Sequence, residues 1–169
     1  MNKNARIELQ YIQLELQNFR TNHLRHFIDQ YYCYKKGYVT RGGNPKWELI
    51  VWGENEAISL EASKTKNRKE VVKEHVIPLK RVTQELMKLP VAELDDLNVV
   101  KNCINKFLIY GTITKEEDAR LRKLKLTSTM PSEYDDHHHD WFNDPYARYH
   151  GADIKLVQYQ KNESGHDRN

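Results

Sequence analysis

Lys73-Glu74-His75-Val76-Ile77-Pro78 sets a carboxylate beside an imidazole and then runs two β-branched residues into a proline. A histidine titrates near neutrality, so it can take a proton from water or a hydroxyl. A neighbouring carboxylate can orient that histidine or help hold a hard cation. Lys73, Lys80 and Arg81 surround the pair with positive charge, which suits phosphate. On this reading His75 is the catalytic base, Glu74 its orienter or a metal ligand, and Lys73, Lys80 and Arg81 the nucleic-acid contacts. The plain alternative is a helix end carrying a histidine that the helix dipole stabilises as a partial cation.

Two further stretches carry chemistry-bearing side chains. Asp135-Asp136-His137-His138-His139-Asp140 is a run of six potential metal ligands. In an extended conformation His137 and His139 point the same way, with Asp135 beside them. Imidazole with carboxylate suits zinc, manganese or iron, and the alternative is adventitious binding by a polar loop. Asp144-Pro145-Tyr146-Ala147-Arg148-Tyr149 opens with a turn signal and then flanks an arginine with tyrosines. Arg148 can clamp a phosphate while a ring stacks on a base. Its structural alternative is tyrosines packed on the core and Arg148 paired with Asp144 or Glu133.

The EHVIP stretch resembles the opening motif of the His-Me-finger (HNH) nucleases. That resemblance implies that His75 activates the attacking water and that Glu74 helps hold one divalent metal, Mg, Mn or Zn, against the scissile phosphate. The family follows this motif with a helix bearing Asn and His. The segment downstream here offers Asn98, Asn102 and Asn105 and no histidine. EHVIP, GTITKEED, Met130-Pro131 and DPYARY together resemble a group of uncharacterised bacterial proteins, over roughly residues 70–155. That likeness implies a shared domain and no particular activity. Arg68 and His75, six residues apart, are similar to the Arg-x4–6-His motif of HEPN-type ribonucleases, which implies metal-free RNA cleavage across a dimer.

These residues need elements to position them. Leu9, Ile12, Leu16 and Phe19 form one helical stripe, and Leu24, Phe27, Ile28, Tyr31 and Tyr32 continue it beyond a break near Thr21-Asn22. Gly37 is a natural stop. Trp47–Trp52 reads as a strand and Ala57–Leu60 as a second extended piece. Residues 66–75 read as a polar helix, and 79–89 as a helix through Val82, Leu86 and Leu89. Pro90 opens another helix, with Leu94, Leu97, Val100 and Ile104 as its stripe. Phe107–Tyr110 reads as a short strand. Thr114 with Glu117 is a capping box that starts a helix near Lys115, with Leu121 and Leu124 on its buried side. Residues 128–151 read as irregular, and Asp153–Tyr159 as a last strand.

Composition bounds the rest. The 169 residues fit one domain, here 1–160, with N-terminal helices over 1–36, a mixed part over 47–155 and a polar tail over 161–169. A net charge of +3 is weak, but Lys and Arg outnumber Glu across 64–88. Cys33 and Cys103 form no C-x-x-C pair, which excludes a zinc ribbon and favours two reduced thiols. The N-terminus has no apolar signal region and no run reaches the ~20 apolar residues of a membrane helix, so a cytoplasmic protein is expected. The expected fold is α+β, mostly helical with a small sheet. The expected function is a nucleic-acid-processing, metal-dependent phosphodiesterase of phage or defence type, with no organic cofactor. The alternative is a non-enzymatic interaction protein, one component of a two-gene system, whose N-terminal helices pair with a partner or a second copy through Tyr31, Tyr32 and Tyr34.

Overall fold

The computed structural model describes residues 1–53 and 57–157. The two N-terminal stripes become α1 (Lys3–Gln17) and α2 (Leu24–Lys36), packed against each other. Asn2 caps α1 by accepting from the Asn4 amide. Gly37 ends α2 in the left-handed conformation at φ +75°, where a residue with a Cβ would be strained. Leu9, Ile12, Leu16, Leu24, Ile28, Tyr31 and Tyr32 are buried as the periodicity requires. Phe19 is not, because the chain turns at positive φ there and leaves its ring in solvent.

The remaining elements are α3 (Glu48–Val51), β1 (Ala57–Ser59), α4 (Leu60–Ser63), β2 (Val71–His75), α5 (Leu79–Met87), α6 (Leu97–Phe107), β3 (Tyr110–Thr114), α7 (Lys115–Lys123), α8 (Ala147–Gly151) and β4 (Leu156–Val157). Single 3-10 turns lie at Val91–Glu93 and Ser132–Tyr134. The four strands form one mixed sheet in the order β2-β3-β1-β4. β2 and β4 pair antiparallel with their neighbours, and β1 pairs parallel with β3. The architecture is α+β and mostly helical, as the sequence led one to expect.

Each face of the sheet covers its own apolar cluster. On one side Tyr110 joins the large core built by α1, α2, α5 and α6. On the other Ile113 and Val76 pack with Leu121 of α7 and with Tyr149, Ala152 and Ile154 around α8. A small third cluster joins Val51, Ala62 and Val71. The capping box is present: Thr114 accepts from the Glu117 amide, and the Glu117 carboxylate accepts from the Thr114 amide. The same carboxylate accepts from the Ser59 hydroxyl at 2.5 Å, tying β1 to α7.

Four expectations are corrected. Trp47–Trp52 is not a strand: Glu48–Val51 makes one helical turn, which puts Ile50 and Val51 inside and leaves Leu49 and Trp52 outside. Residues 66–75 are not a helix: a turn at Arg68–Glu70 leads into β2, where β-branched Val71 and Val72 pair with Thr114 and Ile113. The strand expected at Phe107–Tyr110 starts at Tyr110, because Phe107 still belongs to α6. Leu124 follows the last turn of α7 and is exposed. Of the expected last strand, Leu156 and Val157 pair with β1, while residues 158–159 and the expected tail lie outside the described residues.

Gly111 faces the second cluster, where Tyr149 and Val76 pack closely over its backbone. A Cβ placed there would sit 3.1 Å from the Tyr149 hydroxyl and 3.2 Å from Val76 Cγ2. Gly111→Ala should therefore cost about 1–3 kcal/mol, as overpacked cores do. A denaturant titration that finds the variant as stable as the parent would refute this packing.

Candidate functional site

β2 is an edge strand, and it divides the sequence's two principal candidates. Successive side chains of a strand point to opposite faces. Lys73 and His75 therefore face α2, and Glu74 faces α8. The register pairs His75 with Tyr110 and Glu74 with Gly111. Glu74 and His75 are neighbours in sequence that never meet on one face.

His75 is 9 % exposed and is held by Asp29, a residue of α2. Its Nε2 lies 3.0 Å from Asp29 Oδ1. The Tyr110 hydroxyl donates to the same carboxylate oxygen. Lys73 Nζ stands 3.6 Å from Asp29 Oδ2 and lies over the rings of Trp47 and Tyr110 at 4.8 and 4.9 Å. Burial alone would raise the Asp29 pKa. The hydrogen bond and charge of His75, with Lys73 and Tyr110, more than offset that and hold it below the usual carboxylate value. Burial pushes the His75 pKa below its ordinary value, and Lys73 and Arg25 push the same way against Asp29. The pair is thus an ionised aspartate beneath a neutral histidine. Nε2 then carries the proton and donates it to Asp29, which leaves Nδ1 as an acceptor. Nδ1 has no protein partner among the described residues, and it is not among the atoms sealed from solvent without one.

Around the open edge of β2 runs a cleft of about 690 Å³, and both His75 and Glu74 line it. Lys73, Lys80 of α5, Arg25 of α2 and Asp118 of α7 line it too. The sequence reading missed Asp29, Arg25 and Asp118. Asp29 lies among the apolar stripe residues of α2, and a carboxylate at that place was the available signal.

Glu74 is committed to structure. Its Oε1 accepts from Arg148 Nη2 and its Oε2 from the Tyr149 hydroxyl. Burial raises its pKa, against the charge of Arg148 and the hydrogen bonds of Tyr149 and Arg148. Arg148 is 0 % exposed. Its Nε donates to Val76 O at 2.8 Å, its Nη1 to Leu126 O at 2.8 Å, and its Nη2 also to His75 O. The expected phosphate clamp is therefore a buried strut that joins β2, the end of α7 and α8. Asp144 pairs not with Arg148 but with His150, at 2.9 Å.

Arg81 is also occupied. It holds Asp135 through two nitrogens at 3.0 and 2.9 Å, reaches Glu85 at 2.9 Å and lies over the Tyr134 ring. The histidine run forms turns, so His137 and His139 do not share the face an extended chain would give them. His137 packs on Phe142, and His139 Nδ1 accepts from the Trp141 amide at 3.1 Å. Among the described residues no three His, Cys, Asp or Glu side chains converge as a metal-holding group. Arg68 does not meet His75: it pairs with Glu48 at 2.5 Å and donates to Val71 O, and a strand separates the two. Cys33 and Cys103 are both free, and burial raises each thiol to about 11.

Comparison with protein-family models, with curated proteins and with solved structures returned no match. Among the described residues no helix is long and apolar enough to cross a membrane.

Two outcomes follow from these pairings. Arg148→Ala should cost about 3–5 kcal/mol, because it strands Glu74 as a buried charge without its partner. Arg148→Lys should restore only part, since an ammonium cannot reach four acceptors in a planar fork. Equal stability of parent and alanine variant in urea would contradict the strut. The depressed His75 pKa also fixes a sign. Below the ordinary histidine value of 6.5 the unfolded chain takes up a proton that folded His75 resists, so this contribution is full above that pH and falls as the solution is acidified. His75→Gln should flatten the acid side of the stability–pH curve; an unchanged slope would refute the assignment.

Proposed function

We propose that this protein is a nucleic-acid-processing phosphodiesterase with His75 as its general base. The observation that carries this reading is the geometry of that one side chain. A histidine kept neutral by burial and anchored through Nε2 lines a cleft that also holds Arg25, Lys73 and Lys80, and its Nδ1 has no protein partner among the described residues. A group in that state accepts a proton without first having to lose one. Lys80 and Arg25 face the charge that builds up on phosphate. Lys73 acts through Asp29, whose charge it balances on the side away from the imidazole.

The resemblance of EHVIP to the His-Me-finger motif supports the same reading in part. Of the helices that follow α5, the one that reaches the cleft is α7, and it brings Asp118 where the resemblance implies Asn or His. The carboxylates at the cleft are otherwise engaged, Glu74 by Arg148 and Tyr149, and Asp118 by Arg122 at 2.8 Å. As placed, these side chains do not form a resident metal site, and the proton transfer described here uses none. A setting in phage or in defence against it remains part of the proposal on the strength of the resemblance alone.

A second reading, a non-enzymatic interaction protein, rests on a different observation. Tyr31 and Tyr32 are core residues and offer no contact surface. The outer side of α1 does, with Tyr11 46 %, Leu14 55 % and nearby Phe19 69 % exposed. A second copy would cover that surface, and light scattering that finds a monomer ends this reading.

For the enzyme, plasmid and RNA incubated with the protein in Mg²⁺, in Mn²⁺ and in EDTA should be cleaved in at least one condition. His75→Ala should lower the rate by about 10²–10⁴-fold, the usual worth of a general base. The rate should rise with pH and level off below the ordinary histidine value, since only the neutral ring works. Asp29→Asn removes the group that holds the His75 pKa up, so it should shift that acid limb to lower pH while reducing the plateau. No cleavage in any condition, or full cleavage by the His75 variant, sinks the proposal.

A further inference from the structure

We propose that the cleft beside β2 is a phosphate site that reads a nucleic-acid backbone by charge and leaves the bases unread. This rests on the phosphodiesterase reading for its substrate, and on the cleft itself for its chemistry.

The cations of the region fall into two groups. Lys73, Arg81 and Arg148 are each neutralised by a carboxylate, namely Asp29, Asp135 and Glu74. Arg25 and Lys80 have no carboxylate partner among the described residues, are exposed, and both line the cleft. Two positive charges without counterions on one concave surface concentrate anions there. The acidic groups facing the same space are Glu74 and Asp118, and each is already paired with an arginine. The field they leave is therefore dominated by Arg25 and Lys80.

Helix ends add to it. Arg25 lies in the first turn of α2, a helix of 13 residues, and Lys80 in the first turn of α5, a helix of 9. Neither His23 nor Pro78, the residues before these helices, supplies a side-chain cap. The Leu79 and Lys80 amides have no backbone acceptor among the described residues. Such amides, with the positive end of the dipole, suit an anion with several acceptor oxygens. The buried imidazole supplies an independent pointer, because His75 lines this cleft and its Nδ1 has no protein partner among the described residues. An attacking hydroxyl next to a bound phosphate would meet it there.

The lining also says what is not recognised. Thr21, Thr83, Thr127 and Ser128 bring hydroxyls to the wall, and among the described residues no Phe, Tyr or Trp ring lines it. Base readout on single strands relies on stacking platforms. A wall of hydroxyls, cations and amides serves phosphate oxygens instead.

The test reads binding rather than turnover. The full chain is titrated with inorganic phosphate while the His75 ring resonances are followed by NMR. A saturable shift in the millimolar range is expected, weakened at least about tenfold by Arg25→Ala with Lys80→Ala. Both residues are exposed, so the fold tolerates their loss. No shift, or one the double variant leaves intact, overturns the site. Oligonucleotides of single base composition should then bind within about twofold of one another, each lost cation lowering the salt slope by about 0.7–0.9. Affinities differing more than about tenfold between bases would overturn backbone reading. An oligonucleotide that binds no better than a mononucleotide would also overturn it, in favour of a small phosphorylated ligand. Phosphate binding with no cleavage of any polymer would leave this site standing and remove only the phosphodiesterase.

Discussion

A guanidinium with no access to solvent holds this molecule's working edge together. Arg148 is sealed from solvent, so every nitrogen must donate within the protein, and it does so to the backbone of residues 75, 76 and 126 and to Glu74. These acceptors belong to pieces of chain far apart in sequence. Two of them lie at the very end of β2, where the strand stops pairing and the chain turns toward Pro78. An edge strand presents backbone groups that would otherwise be open to a second strand. Arg148 occupies the His75 carbonyl on that edge, and Arg68 occupies that of Val71. The strand is thereby kept from pairing elsewhere, and the position of His75 is set by its own main chain before its side chain is considered.

From this anchoring the division of labour between neighbours follows. The alternation of a strand gives His75 and Glu74 opposite surroundings, and those surroundings push their protonation in opposite directions. His75 is kept neutral by burial, which outweighs the pull of the ionised aspartate that orients it. Glu74 meets the strut and becomes its counterion. A helix would have placed the two side chains about 100° apart on one surface, where a shared ion is conceivable. The strand makes that pairing impossible, and it substitutes Asp29, forty-six residues away, as the group that orients the imidazole.

This is also where sequence reading reached its limit. The helices whose apolar faces meet a single core were legible: the stripes of α1 and α2 were found, as were α5, the stop at Gly37 and the cap at Thr114, because each is a local pattern with a local cause. β2 was not legible because it is buried on both faces and fills its central positions with charge. Val71-Val72-Lys73-Glu74-His75 shows no alternation of polar with apolar residues, since both sides need one of each. Lys73 is tolerated through Asp29 and two rings, Glu74 through Arg148 and Tyr149, and none of those partners is near in sequence. Trp47–Trp52 failed for a different reason. Five apolar residues in six satisfy a strand and a single helical turn equally, and only tertiary packing around Val51 decides between them. His75 was picked out from the sequence as a candidate, but the residue that holds its ring, Asp29, sits in a helix whose stripe looked merely structural.

The same contrast between committed and uncommitted charge distinguishes architecture from chemistry across the whole site. A cation that has its carboxylate has already spent its field locally, and at close range it looks neutral to an incoming anion. Judged by spacing alone, Lys73, Arg81 and Arg148 appeared to be as good phosphate contacts as Lys80. Their geometry shows that they answer internal carboxylates, whereas Arg25 and Lys80, at the starts of two helices, have none among the described residues. A weak global charge therefore argues neither for nor against a nucleic-acid partner. What matters is the residue-by-residue pairing, and here it leaves Arg25 and Lys80 without a carboxylate in a cleft that His75 also lines.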